Sequence, residues 1–136
     1  MNVDQSRWGE TVAISDAGQA GRVGYGAAVA ITVDGTLLVR WWRQRGIDNA
    51  HQAEVCGIRW LLSAGSQLVY TDCQTAIDEL VNTMWLPRTH GGIRLVDRLA
   101  RKVGPAGHPS AETMASIVRK HPALPELLEL VAQPAT

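Results

Sequence analysis

At 136 residues, with 46% apolar and 19% charged side chains, the chain is sized and composed for one globular domain, 1–136, and its composition excludes a disordered polymer. Thirteen Lys and Arg balance thirteen Asp and Glu, so bulk charge recruits no polyanion, although a local patch still can. The start MNVDQSRWGE lacks the basic and apolar stretches of a leader, and no apolar run approaches the ~18 residues that span a bilayer. A cytoplasmic chain with no membrane partner is expected.

Thr11 to Ser15 is a short β-type run leading to Asp16, and Gly18, Gly21, Gly24 and Gly26 then crowd a turn. AAVAITV (27–33) reads as a second strand, Asp34-Gly35 as a hairpin turn, and TLLVRWW (36–42) as the returning third strand. After a polar loop, residues 51–65 have helical periodicity, with Val55, Ile58 and Leu62 on one face and Gly65 as a stop. The apolar strand LVYT (68–71) follows, then a helix TAIDELVNTMWL (75–86) ended near Pro87. Residues 92–103 make an amphipathic helix, Leu95, Val96, Leu99 and Val103 on one side and Arg94, Arg98 and Arg101 on the other. TMASIVRK (113–120) is expected to be the fifth strand, and 125–132 a last helix opened by Pro125.

This order, β-β-β-α-β-α-α-β-α, implies an α/β fold: a five-stranded mixed sheet, three antiparallel strands then parallel ones, flanked by helices. Such sheets carry their chemistry where strand ends meet in a crevice. Cys56 and Cys73 have no metal-type spacing and read as reduced core thiols, and a monomer is favoured.

If the first and fourth strands are neighbours, Asp16 and Asp72 project from adjacent strand ends, and Glu54 reaches the same point from the first helix. Taken singly, Asp16 reads as a turn residue, Glu54 as a helix-surface charge and Asp72 as an N-cap. Together, three carboxylates repel and raise one another's pKa unless a divalent cation neutralises them. Oxygen-only ligands favour Mg²⁺ or Mn²⁺ over Zn²⁺.

S15-D16-A17-G18 followed by G24-Y25-G26-A27 resembles the first strand and turn of the type 1 ribonucleases H. Q52-A53-E54 at the head of a helix resembles that family's helix bearing its catalytic Glu, and T71-D72-C73-Q74 is similar to its Thr-Asp-Ser-Gln. The resemblance covers residues 11 to 80 and continues toward the C-terminus.

It implies a ribonuclease H-like fold and hydrolysis of the RNA strand of an RNA–DNA hybrid by two Mg²⁺ (or Mn²⁺) ions held by Asp16, Glu54 and Asp72. The family's fourth acid lies in its last helix, after a strand ending in a basic residue and a loop containing His. R119-K120-H121 matches that context, making Glu129 the fourth ligand ahead of Glu126, and His121 the proton relay. G104-P105-A106-G107-H108-P109 is an alternative match to the His loop. Substrate contacts carry over to Asn49 and His51, beside Ala50, where the family has paired Asn. They carry over also to Gln74 in the minor groove and Trp85 beside the DNA strand. Arg94 and Arg98, with Arg101 and Arg88, suit phosphates, and Arg40, Arg43 and Arg45 interleaved with Trp41 and Trp42 are a second basic-aromatic candidate. Two other readings keep the fold: a nuclease for DNA or structured nucleic acid, and a catalytically silent binding module.

Overall fold

The computed structural model describes residues 8–9, 11–32, 34–121 and 124–132. Residues 1–7, where a leader was looked for, and Val33 of the expected second strand lie outside the described residues. Strands β1 (Val12–Ala20), β2 (Val23–Ile31) and β3 (Leu37–Arg45) form the expected antiparallel meander. Helix α1 (Ala50–Ser63), β4 (Leu68–Thr71), α2 (Gln74–Glu79), β5 (Thr83–Trp85), α3 (Gly91–Val103), α4 (Ala111–Arg119) and α5 (Leu124–Ala132) follow. The sheet order is β3-β2-β1-β4-β5, with β4 parallel to β1 and β5 parallel to β4. No helix among the described residues is long and apolar enough to cross a membrane.

Three expectations change. The glycine-rich stretch is mostly strand: β1 runs through Gly18 to Ala20, and Gly24 and Gly26 lie inside β2. The helix expected at 75–86 stops at Glu79, because Leu80 is extended and Asn82 takes φ 57, turning the chain into β5. Residues 113–120 are therefore not the fifth strand. They belong to α4, where the Ser110 hydroxyl caps the Thr113 N–H at 3.1 Å and Met114 is buried at 1% exposure in the core. The five-stranded mixed sheet stands, with β5 supplied thirty residues earlier in the chain than expected (83 against 113).

The two faces of the sheet follow the period of the strands. Ile14, Ala27, Val29, Ile31, Leu68 and Tyr70 point to α3, whose Leu95, Val96, Leu99 and Val103 are each at most 2% exposed. Each such side chain contributes about 1.5–3 kcal/mol when fully buried. Ala13, Ala28, Ala30 and Val69 point the other way, to Val55, Ile58 and Leu61 of α1. The alanines on this face let α1 lie close to the sheet.

Gly26 has no room for a side chain. A Cβ there would stand 2.7 Å from the Trp42 ring and 2.8 Å from the Asp16 carbonyl oxygen. Trp42 is only 3% exposed and backs onto Gly57 of α1 as well, so the ring cannot yield. Gly26→Ala is therefore expected to cost about 1–3 kcal/mol and lower Tm by several degrees in a thermal melt.

Candidate metal centre

Parallel pairing of β1 with β4 runs Val12↔Leu68, Ala13↔Val69, Ile14↔Tyr70 and then ends. The same register continued two residues brings Asp16 level with Asp72, where the strands have parted and leave space between them. Asp16 is 8% exposed, and the Asp72 side chain 12%. Glu54 enters from α1 at 5% exposure. One carboxylate oxygen from each of the three lies within 4.8 Å of the others.

Glu54 is fixed from both strands. The Ala17 N–H of β1 donates to its Oε1 at 2.6 Å, and the Thr71 hydroxyl at the end of β4 donates to its Oε2 at 3.1 Å. Thr71 Oγ also accepts from the Cys73 N–H at 3.1 Å, which orients the hydroxyl. The Asn49 side chain caps α1 by accepting from the Gln52 N–H at 2.9 Å, setting the helix start and so the position of Glu54 one turn on.

The electrostatics are those of a site short of positive charge. Burial pushes the Asp16 carboxyl up to about 9, and the neighbouring Glu54, Asp72 and Asp97 add to the rise. Burial also raises Glu54, to about 7, against the Ala17 hydrogen bond that favours its charged form. Arg88 Nε meets Asp72 Oδ2 at 3.2 Å, but its guanidinium is 90% exposed and cannot neutralise a buried cluster. A hard divalent cation fits the donor set: three oxygen ligands, all carboxylates, at the mouth of a crevice.

Asp16, Glu54, Asp72, His51, Arg94, Arg98 and His121 line one cavity of about 680 Å³. His121 Nδ1 is buried there without a hydrogen-bond partner among the described residues. His51 bridges Thr75 and Glu79, both at 2.8 Å, and so ties α1 to α2. Asn49, Gln74 and Trp85 are not on the cavity wall: Asn49 serves as the cap, Gln74 reaches Asp78 at 3.5 Å, and Trp85 stands 53% exposed on the edge strand. His108 lies elsewhere, on Arg43 at 3.0 Å, and Trp42 is core.

The structure sets both candidates for the fourth acid apart from the three carboxylates. Glu129 is exposed on α5 and off the cavity wall, and Glu126 is turned to the N-terminus of α3, where it accepts from the Gly91 N–H at 2.9 Å. Its charge is met by that helix end, with His90 Nε2 at 3.7 Å. Asp97 of α3 is on the same cavity wall, beside Asp16. It also pairs with Arg101 at 3.1 Å. Once residues 113–120 are assigned to a strand, the helix that follows the last strand is looked for too late in the chain. A signal was available: Asp97 follows Ile93 by four and precedes Ala100 by three, both buried, so it borders the apolar face and leans to the sheet.

No family model matches the chain, and no curated protein matches it in sequence. Among solved structures it is similar to ribonuclease H1 of the halophilic archaeon Halobacterium salinarum, at 18% identity and TM-score 0.50, covering 69% of this chain and 96% of that one. The N-terminal ribonuclease H domain of a Mycobacterium tuberculosis protein also matches, at 14% identity and TM-score 0.42, covering 82% of this chain and 97% of that one. The chain has a ribonuclease H-like fold.

The raised Asp16 value makes a signed prediction. Between its ordinary 3.8 and about 9, the folded chain holds a proton that the unfolded chain has lost. Stability from this group is full below 3.8 and is lost as pH rises toward 9. In EDTA, Tm is expected to fall from about pH 5 to about pH 9, and Asp16→Asn to flatten that fall and raise Tm near pH 8 by several degrees. Mg²⁺ should raise the wild-type Tm and leave that of Asp16→Asn nearly unmoved.

Proposed function

We propose that the protein is a metal-dependent endonuclease that hydrolyses the RNA strand of RNA–DNA hybrids. The observation that carries this reading is the convergence of Asp16, Glu54 and Asp72 within 4.8 Å, from two strand ends and a helix, in a ribonuclease H-like fold. Asp97 is the fourth acid in this reading. Two Mg²⁺ or Mn²⁺ ions held by these carboxylates would supply water activation and stabilisation of the leaving oxygen of a phosphodiester. The products carry a 3′-hydroxyl and a 5′-phosphate.

The chain's own groups have separate tasks. Thr71 and the Ala17 N–H hold Glu54 in one orientation, so the acids need no rearrangement to receive a cation. Arg94 and Arg98, exposed on the cavity wall, grip phosphates on either side of the reacting one. His121 offers the cavity an Nδ1 without a partner among the described residues, placed to accept or release a proton. With Cys56 and Cys73 both free thiols, a reducing cytoplasm suits the protein.

A second reading rests on the strand-reading positions. Asn49 is used as a helix cap, His51 is tied to Thr75 and Glu79, and Ala50 has no polar group. Discrimination of RNA depends on contacts to the 2′-hydroxyl, and these residues leave little for it. A nuclease for DNA or structured nucleic acid keeps the same metal chemistry.

End-labelled hybrid, duplex DNA and duplex RNA, each in Mg²⁺ and Mn²⁺, separate the two. Cutting of the RNA strand of the hybrid alone is expected; cutting of duplex DNA would favour the second reading, and no cutting of anything would overturn both. Asp72→Asn should lower the rate by roughly 10³-fold, as loss of about 4 kcal/mol of transition-state charge stabilisation predicts. Asp97→Asn should slow cleavage by at least about tenfold, whereas Glu129→Gln should not change it; the reverse pattern would restore Glu129 as the fourth acid.

A further inference from the structure

A second groove, of about 690 Å³, runs between α3 and α4 and is walled by Arg98, Arg101, Lys102, Arg119 and Lys120. Arg98 and Arg101 line the acid-bearing cavity too, so the two spaces share a wall. All five cationic residues are exposed, and Glu112 is the one acid on the groove among the described residues. In a chain of zero formal charge, six of the thirteen Lys and Arg stand on α3, on α4 and at its C-cap Lys120.

Cations near helix C-termini interact favourably with the helix dipole, by about 0.3–1 kcal/mol each, and that alone explains Arg101, Lys102 or Arg119 singly. It does not explain five cationic side chains on two helices lining one open groove, where the like charges repel. Arg101 has Asp97, but Arg98, Lys102, Arg119 and Lys120 have no ion-pair partner among the described residues. Arg94, Arg98 and Arg101 share one exposed face of α3 and rise about 10 Å along its axis. They make a continuous cationic track from the acids to the groove. Ser116 adds a hydroxyl of the kind that contacts phosphate oxygens.

We propose that the α3–α4 groove binds the sugar-phosphate backbone of the nucleic acid cut at the acid cluster, gripping it several nucleotides from the scissile bond. This rests on the nucleic-acid reading above and extends its footprint to α4. Apart from Ile117 the groove is lined by charge and hydroxyls, with no aromatic stacking surface among the described residues, so it reads backbone, not bases.

The test is the salt dependence of binding, read by fluorescence anisotropy on a labelled hybrid of about 20 base pairs in Ca²⁺ between about 50 and 200 mM salt. Arg119→Ala/Lys120→Ala, outside the acid-bearing cavity, is compared with wild type and with Arg22→Ala/Arg59→Ala, which removes equal charge far from the groove. The groove variant should bind about tenfold more weakly, and the slope of log K against log salt should shrink by roughly 1.5–2, with the control pair near wild type. Unchanged affinity and slope, or an equal change in the control, would overturn the groove while leaving the nuclease reading intact. Binding that follows the expected pattern without cleavage in Mg²⁺ or Mn²⁺ would do the opposite. Failure of the wild type to bind any nucleic acid would overturn both, and circular dichroism confirms that each variant is folded.

Discussion

The crowding of acids where β1 and β4 part is the constraint around which the molecule is arranged. Parallel register fixes Asp16 and Asp72 at one level, and neither can retreat without breaking the sheet pairing two residues below. Everything nearby serves to hold a third acid against them. Gly26 and Gly57 leave space for the Trp42 ring, the ring backs α1 onto the sheet, and α1 delivers Glu54 into the crevice. Removal of that electrostatic burden would simplify folding, yet the hydrogen bonds from Ala17 and Thr71 are spent on keeping Glu54 in place.

The outer helices continue the same logic. The N-terminus of α3 is capped twice, by the His90 ring accepting from Gly92 at 3.0 Å and by Glu126 accepting from Gly91. That capping sets the axial position of α3, and with it the distance of Asp97 from Asp16. A Cβ at Gly92 would meet Ile14, so close contact of α3 with β1 depends on the absent side chain. The helix thus presents a buried apolar stripe, one acid at its border and arginines beyond, in a single sequence of thirteen residues.

Much of this was legible in the chain itself. β-type runs and the Asp34-Gly35 turn revealed the meander, 3.6-residue periodicity revealed α1 and α3, and the order of Asp16, Glu54 and Asp72 pointed to a shared site. What misled was local. After Gln74 the apolar rhythm of a helix continues through Leu80 to Trp85, and nothing before Asn82 announces that three residues will pair with β4. In α4 the β-branched Ile117 and Val118 suggested a strand, but the Ser110 cap and the burial of Met114 decide for helix. The two misreadings are linked: with the last strand placed too late, the acid after it was sought on α5, and the helix that carries Asp97 was read only for its apolar and arginine faces.

The proton on Asp16 has a meaning beyond stability. With no cation present it is the cheapest positive charge the crevice can recruit, a placeholder in the seat of an ion. A divalent cation entering at neutral pH would have to displace it, exchanging a hydrogen ion for a metal ion. Occupancy would then be favoured as pH rises, because carboxylates hold a cation in their deprotonated form.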